Sequence, residues 1–278
     1  MKLRPAILVV LLALALAACS SSSSTPSAAA SAASQAPASA AAGGLTILGA
    51  ASLKDVLAKA KTAYEAANPG TTLTISTGSS SALETQIEQG APADVFLSAD
   101  TANPKKLVDK GLAAGDPVTF AGNKLTVIVP SDNPAGITSP ADLAKPGVKV
   151  IAAGDDVPIT KYANQLVANL AKESGYPADF AARYTANIAS KEEDVKSVVG
   201  KIELGEGDAG IVYVTDAKAS DKVKSIDVPA DANVPATYQG VAIKASQHAD
   251  AAKAFLTWFA GPDGQAILSQ FGFLPPSS

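Results

Sequence analysis

Two stretches of the chain place hydroxyls at the head of a helical pattern. Gly49-Ala50-Ala51-Ser52 follows the apolar run at 45–48, and Gly78-Ser79-Ser80-Ser81 precedes the helically spaced pair Leu83 and Ile87. The first turn of a helix carries N–H groups without acceptors and the positive end of the dipole. Such an end accommodates an anion. A single serine there most often caps its own helix: Ser52 has N-cap spacing with Asp55 three residues on, and Ser81 and Glu84 have the spacing of a capping box. Two hydroxyl-bearing starts on neighbouring βα turns say more. In open α/β sheets ligands sit outside the carboxyl ends of the strands, where helix starts gather, so Ser52 and Ser80 are candidates for one shared site.

Other chemistries find less support. Serine hydrolysis needs a base within reach, and the only histidine is His248. The nucleophile elbow Gly-x-Ser-x-Gly is absent, because Gly78-Ser79-Ser80-Ser81-Ala82 lacks the second glycine. One histidine and one cysteine, Cys19, are too few soft ligands for a transition metal. The acidic run Glu192-Glu193-Asp194 reads as a solvated helix start rather than a cation site, which needs several oxygen ligands at a defined spacing. A formal net charge of −4 with no basic cluster speaks against nucleic acid and anionic lipid.

The elements that must carry the serines alternate. Strands are predicted over 45–48, 72–76 and 94–98, separated by helical patterns from Ser52 to Pro69 and from Ser79 to Gly90, with a further helix over 104–110. This alternation argues for parallel βαβ units. Strands follow at 125–129, 148–152, 210–213 and 223–228, and another at 241–243. Pro158 suits the edge of a helix carrying Tyr162, Leu166, Val167 and Leu170, which makes the N–H groups of Ile159 and Thr160 first-turn orphans. Asp194 stands at the start of a helix carrying Val198, Val199 and Ile202, and Tyr213 closes the strand Gly210-Ile211-Val212. Helices over 178–184, 246–259 and 262–271 complete the pattern, with Ala254, Phe255, Trp258 and Phe259 assigned to the core.

With 278 residues, 47% hydrophobic and 17% charged, the chain can fill one large or two smaller cores. Its first residues stand apart. Lys2 and Arg4, the apolar run 6–16 and Leu16-Ala17-Ala18-Cys19 resemble a bacterial lipoprotein signal over 1–18, with Cys19 as the lipid attachment. Cleavage takes the formal charge from −4 to −6, because Lys2 and Arg4 leave with the signal. Residues 19–44 are Ser, Ala and Pro-rich and read as a tether. The expected location is extracytoplasmic, on a bacterial membrane.

Five segments occur in order: Gly49-Ala-Ala-Ser52-Leu, Ser79-Ser-Ser-Ala-Leu-Glu-Thr-Gln-Ile-Glu-Gln-Gly-Ala-Pro-Ala-Asp94, Gly122-Asn-Lys-Leu, Glu193-Asp-Val195 and Gly210-Ile-Val-Tyr213. Together they make residues 45–273 resemble the molybdate-binding proteins of ABC transporters. The resemblance implies an α/β, two-lobed type II periplasmic-binding-protein fold with the ligand in the cleft. Lobe 1 would comprise 45–122 plus 239–278 and lobe 2 residues 123–238. It implies a ligand set of the hydroxyls of Ser52, Ser80 and Tyr213 and the backbone amides of Ile159 and Val195. Ser80 is then the hydroxyl free for the ion, with Ser81 left to its capping box. Many relatives have glycine where this chain has Thr160. Further implications are molybdate or tungstate as ligand, an ABC permease as partner, a monomer, no cofactor and no enzymatic activity. The rivals are a binder of sulfate or thiosulfate and, further off, a serine hydrolase or a lipid-anchored sensor.

Overall fold

A computed structural model describes residues 43–276 of the protein. The expected signal peptide over 1–18, Cys19 and the expected tether as far as residue 42 lie outside them; Gly44, assigned to the tether, belongs to the first strand. The chain begins with β1 (Gly44–Ala50), a one-turn 3-10 helix (Ala51–Leu53) and α1 (Lys54–Ala67). It continues through β2 (Thr72–Gly78), α2 (Ser80–Glu88), β3 (Val95–Ser98), α3 (Ala102–Asp109) and β4 (Val118–Asn123). The middle of the chain forms β5 (Leu125–Pro130), β6 (Val150–Ala153), α4 (Pro158–Leu170), α5 (Phe180–Ala186), β7 (Ile188–Glu192), α6 (Val195–Glu203), β8 (Ala209–Tyr213), α7 (Val214–Lys218) and β9 (Val223–Ile226). The chain ends with β10 (Ala236–Ala242), α8 (Ala249–Ala260) and α9 (Pro262–Gln270).

These strands form two five-stranded sheets, ordered β2-β1-β3-β10-β4 and β7-β6-β8-β5-β9. The alternation of strand and helix gives parallel pairing where it was expected: β1 runs parallel to β2 and β3, and β6 to β7 and β8. Antiparallel pairings join β10 to β3 and β4, and β5 to β8 and β9. The chain passes from the first sheet to the second between β4 and β5 and returns between β9 and β10. Each sheet with its helices is one lobe of a two-lobed α/β fold.

The inner strands are apolar because both faces are covered. β3, β5, β6 and β8 are buried at every residue, as in sheets flanked by helices. α1 buries Val56, Leu57, Ala60 and Tyr64 on one stripe, and each large apolar side chain so buried contributes about 1.5–3 kcal/mol. Close approach matters most at Gly210. A Cβ there would lie 2.9 Å from Val198 Cγ1 and 3.0 Å from the Ile151 carbonyl, so α6 rests directly on the backbone of β8. That packing holds the start of α6 and the end of β8 in fixed relation.

Some local expectations change. The helix after β2 starts at Ser80 with Ser79 as N-cap, and no side chain caps it. Ser81 therefore sits inside the first turn, two residues past the cap position. Ser52 lies within the 3-10 turn that precedes α1, and α1 has Leu53, without a side-chain bond, at its N-cap. In α8 the core face is Ala252, Phe255, Leu256 and Phe259; Ala254 is exposed and Trp258 half-buried.

Candidate functional site

A small cavity, of about 10 Å³ to a water-sized sphere, opens where the two sheets face each other across the carboxyl ends of their strands. Ser52, Ser80, Ile159, Val195 and Tyr213 all line it, together with Ala50, Ala51, Gly78, Ser79, Ala99, Val157, Pro158 and Asp194. Pockets for drug-sized ligands measure roughly 300–1,000 Å³; this far smaller space suits a small ion. The first lobe supplies both serines, and the second supplies Ile159, Val195 and Tyr213.

Local sequence explains why donors point inward. Ser80 is the first residue of α2, Val195 the first of α6, and Ile159 the second of α4, behind Pro158. N–H groups in these positions have no acceptor inside their own helix. Asp194 caps α6, its carboxylate accepting from Ser197 N at 2.9 Å. Its side chain is thereby engaged with its own helix. No Lys or Arg is among the residues lining the cavity.

The serine hydroxyls are oriented by what they accept. Ser80 Oγ accepts the Ala99 N–H at 3.1 Å, which leaves its proton available as a donor. Ser52 Oγ lies 3.0 Å from Tyr238 Oη. Asn123 Nδ2 donates to Thr215 Oγ1 at 2.8 Å and to Tyr238 Oη at 3.5 Å. Asn123 thus donates to the Tyr238 oxygen, and a Tyr238 O–H directed at Ser52 Oγ leaves the Ser52 proton free for the cavity. Asn123 stands in the segment Gly122-Asn-Lys-Leu but without an assigned role, and Tyr238 and Ala99 had no signal in the sequence; the roles of all three depend on contacts between distant parts of the chain.

Tyr213 closes the set. It is 1% exposed, and its hydroxyl has no hydrogen-bond partner among the described residues. A buried hydroxyl left unpaired is costly. Tyr162 and Tyr238 fix the ring edge-on, at centroid distances of 6.2 and 5.7 Å. Burial, reinforced by the neighbouring tyrosines Tyr238 and Tyr162 and by Asp216, holds the phenol well above its usual pKa. The group is a neutral donor at any physiological pH.

Thr160 does not disturb this arrangement. Its hydroxyl donates to the Ala153 carbonyl at 2.9 Å and its N–H to Val157 O at 3.0 Å, so both turn back onto the β6–α4 connection. Ile159 keeps its place in the lining.

The cavity thus converges hydroxyl and amide donors from several helix starts, a chemistry for a fully deprotonated oxyanion. Residues 45–274 match the family described as bacterial extracellular solute-binding protein. The molybdate-binding protein ModA of Mycobacterium tuberculosis is 33% identical over 236 residues, covering 84% of this chain and 86% of that protein. YvgL of Bacillus subtilis, whose name includes "ABC transporter substrate-binding lipoprotein", is 33% identical over 231 residues, covering 82% and 85%. The solved periplasmic molybdate-binding protein of Azotobacter vinelandii superposes with a TM-score of 0.71 at 25% identity, over 84% of this chain and all of that one. With the match spanning the whole two-lobed fold, the chain belongs to the family of bacterial extracellular solute-binding proteins.

Proposed function

We propose that the protein captures molybdate outside the cytoplasm and hands it to the permease of an ABC transporter. The observation that carries this reading is the Tyr213 hydroxyl, buried and unpaired in a cavity lined by donors. An oxyanion oxygen there supplies the missing acceptor. The kinship with molybdate-binding proteins supports the choice of ion.

In this reading the ion is held by Ser52 Oγ, Ser80 Oγ, Tyr213 Oη and the N–H groups of Ile159 and Val195. Hydrogen bonds to a charged partner contribute roughly 1.5–3 kcal/mol each. Five of them, less the costs of ordering and closure, give binding on the order of −8 to −12 kcal/mol, micromolar to nanomolar. A cation-free site avoids burying a second formal charge with its desolvation cost. A protonated oxyanion is disfavoured because its O–H finds no acceptor, and sulfate because its smaller frame leaves donors overstretched. Tungstate matches molybdate in charge and nearly in size, so it binds too.

The moving bodies are the lobe built on the sheet β2-β1-β3-β10-β4 and the lobe built on β7-β6-β8-β5-β9. Because donors come from both, the ion draws the lobes together, and the closed form is what the permease receives. The protein works as a monomer, does no chemistry on its ligand and needs no cofactor. Lipid on Cys19 and the tether of residues 19–44 keep it at the membrane surface after residues 1–18 are removed.

Calorimetry on the chain from Ser20 to Ser278 with molybdate, tungstate, sulfate and phosphate tests the reading. Tight molybdate and tungstate binding with sulfate at least a hundredfold weaker is expected. Equal binding of sulfate would favour a general oxyanion carrier, and no response to any of the four would end the proposal.

A further inference from the structure

Beside the ion-binding residues lies a polar network that none of them uses. Asn103 is fully buried on α3 and donates through Nδ2 to Asp100 Oδ1 and Oδ2 at 3.1 and 3.0 Å. Asp100, 5% exposed, also accepts from Asn103 N at 3.0 Å and Ser98 Oγ at 2.9 Å. From this base Asn103 Nδ2 reaches Ser81 Oγ at 3.3 Å. Ser81 Oγ then donates to the Asp156 carbonyl at 2.5 Å.

Ser81 belongs to the first lobe and Asp156 to the second. A second strand of the same network crosses at Lys161, whose Nζ lies 3.9 Å from Asp100 Oδ2. Both crossings land on residues 156–161, the segment that contains Ile159. We infer that Ser81 is the catch of a closure latch: neighbouring Ser80 faces the ion, while Ser81, set by Asn103 and Asp100, fastens the start of α4 across the cleft without touching the ion. This rests on the oxyanion-binding reading above and names what holds its closed form.

The physical setting suits a reversible catch. Ser81 is only half-buried and Asp156 is exposed, so on opening both polar groups return to water and no unpaired group is left inside. Asn103 and Asp100 keep their mutual bonds whether or not the catch is made. The cost of a rigid, satisfied buried network thus yields one hydroxyl in a fixed place. Thr85, one turn further along α2, offers a contrast: its hydroxyl bonds only the Ser81 carbonyl of its own helix, at 2.9 Å.

The test compares Ser81→Ala and Thr85→Ala in the chain from Ser20 to Ser278, using radiolabelled molybdate for rates and thermal melting for stability. For Ser81→Ala the dissociation rate should rise about two- to tenfold, the scale of one net hydrogen bond, with the association rate unchanged. Melting of the ligand-free protein should not shift, because the bond forms only on closure. Thr85→Ala should keep wild-type rates. If wild-type protein binds molybdate and Ser81→Ala releases it at the wild-type rate, the latch is overturned while the functional reading stands. A rise in rate that Thr85→Ala shares also overturns the latch, since it would trace to the helix. If the wild type binds no molybdate, the functional reading fails and the latch with it.

Discussion

Ser52 Oγ and Tyr238 Oη lie 3.0 Å apart, both buried, although 186 positions separate them in the chain. Tyr238 sits on β10, the strand on which the chain returns to the first sheet. Asn123, which donates to its hydroxyl, ends β4, the strand from which the chain leaves. The Ser52 hydroxyl is therefore linked through Tyr238 to the two strands that lead the chain out of the first sheet and back into it. The crossing strands and the cavity share one hydrogen-bonded line.

Tyr238→Phe removes the hydroxyl partner of Ser52 and leaves the ring packing against Phe120 and Phe273 in place. Ser52 is then free to turn its own proton away from the cavity. Molybdate affinity should fall about three- to tenfold, the scale of one net hydrogen bond, by calorimetry. A larger loss accompanied by a lower melting temperature would show that the hydroxyl serves the crossing strands rather than Ser52.

Tyr213→Phe should separate binding from stability. Its hydroxyl has no partner in the protein, so deleting it costs no internal hydrogen bond and removes a buried polar group worth about 1–3 kcal/mol in desolvation. The ligand-free variant should melt no lower than wild type. Affinity for molybdate should nonetheless drop roughly ten- to a hundredfold, because a bond to a charged partner is lost. A fall in ligand-free stability of more than a degree or two would contradict the picture of an unpaired hydroxyl.

What could be read from the sequence was what short-range periodicity encodes. α1 and α6 carry apolar stripes at helical spacing, and the helix starts before Ser52, Ser80, Ile159 and Val195 follow from small residues, Pro158 and Asp194. Strands β4 and β7 escaped: β4 reads Val-Thr-Phe-Ala-Gly-Asn, and β7 is a half-exposed edge paired only with β6, so neither has a strong alternation of its own. Ser81 misled for a physical reason. Capping-box spacing with Glu84 was present, but the helix begins at Ser80, and the Ser81 hydroxyl finds a carbonyl across the cleft. The five cavity residues could be named in sequence through the family resemblance; the groups that orient their hydroxyls could not, since Ala99 and Tyr238 meet the serines only in the folded chain.

Ser52→Ala with Ser80→Ala deletes the hydroxyls of two of the three first-lobe serines that line the cavity and keeps its helix starts. Ser80 Oγ accepts the buried Ala99 N–H, so this variant also leaves one amide unpaired and should lose about 1–3 kcal/mol of stability. Molybdate affinity should fall a hundredfold or more. Unchanged affinity would remove both serines from the site.

Asp216 makes the stability of the fold depend on pH. It lies on α7, three residues after Tyr213, fully buried, with neither oxygen hydrogen-bonded among the described residues. Burial pushes its carboxyl up to about 7, opposed by Lys196, whose Nζ is 3.6 Å away. Lys196 also reaches across the cleft to Asp55, at 2.9 Å. Because the folded-state pKa lies above the ordinary carboxylate value, the native chain binds this proton more tightly than the unfolded chain. Its contribution therefore favours the fold as pH falls from about 7 towards 4, and penalises it above 7. Asp216→Asn removes the penalty while Lys196 keeps Asp55 as partner. At pH 8 the variant should be more stable than wild type, by an amount on the order of a few kcal/mol. The gap should narrow steadily as pH is lowered through 7 and close near 4. Denaturant unfolding of both proteins across pH 4 to 8 measures this, and a gap that stays constant with pH would mean that Asp216 does not change its protonation in the folded chain.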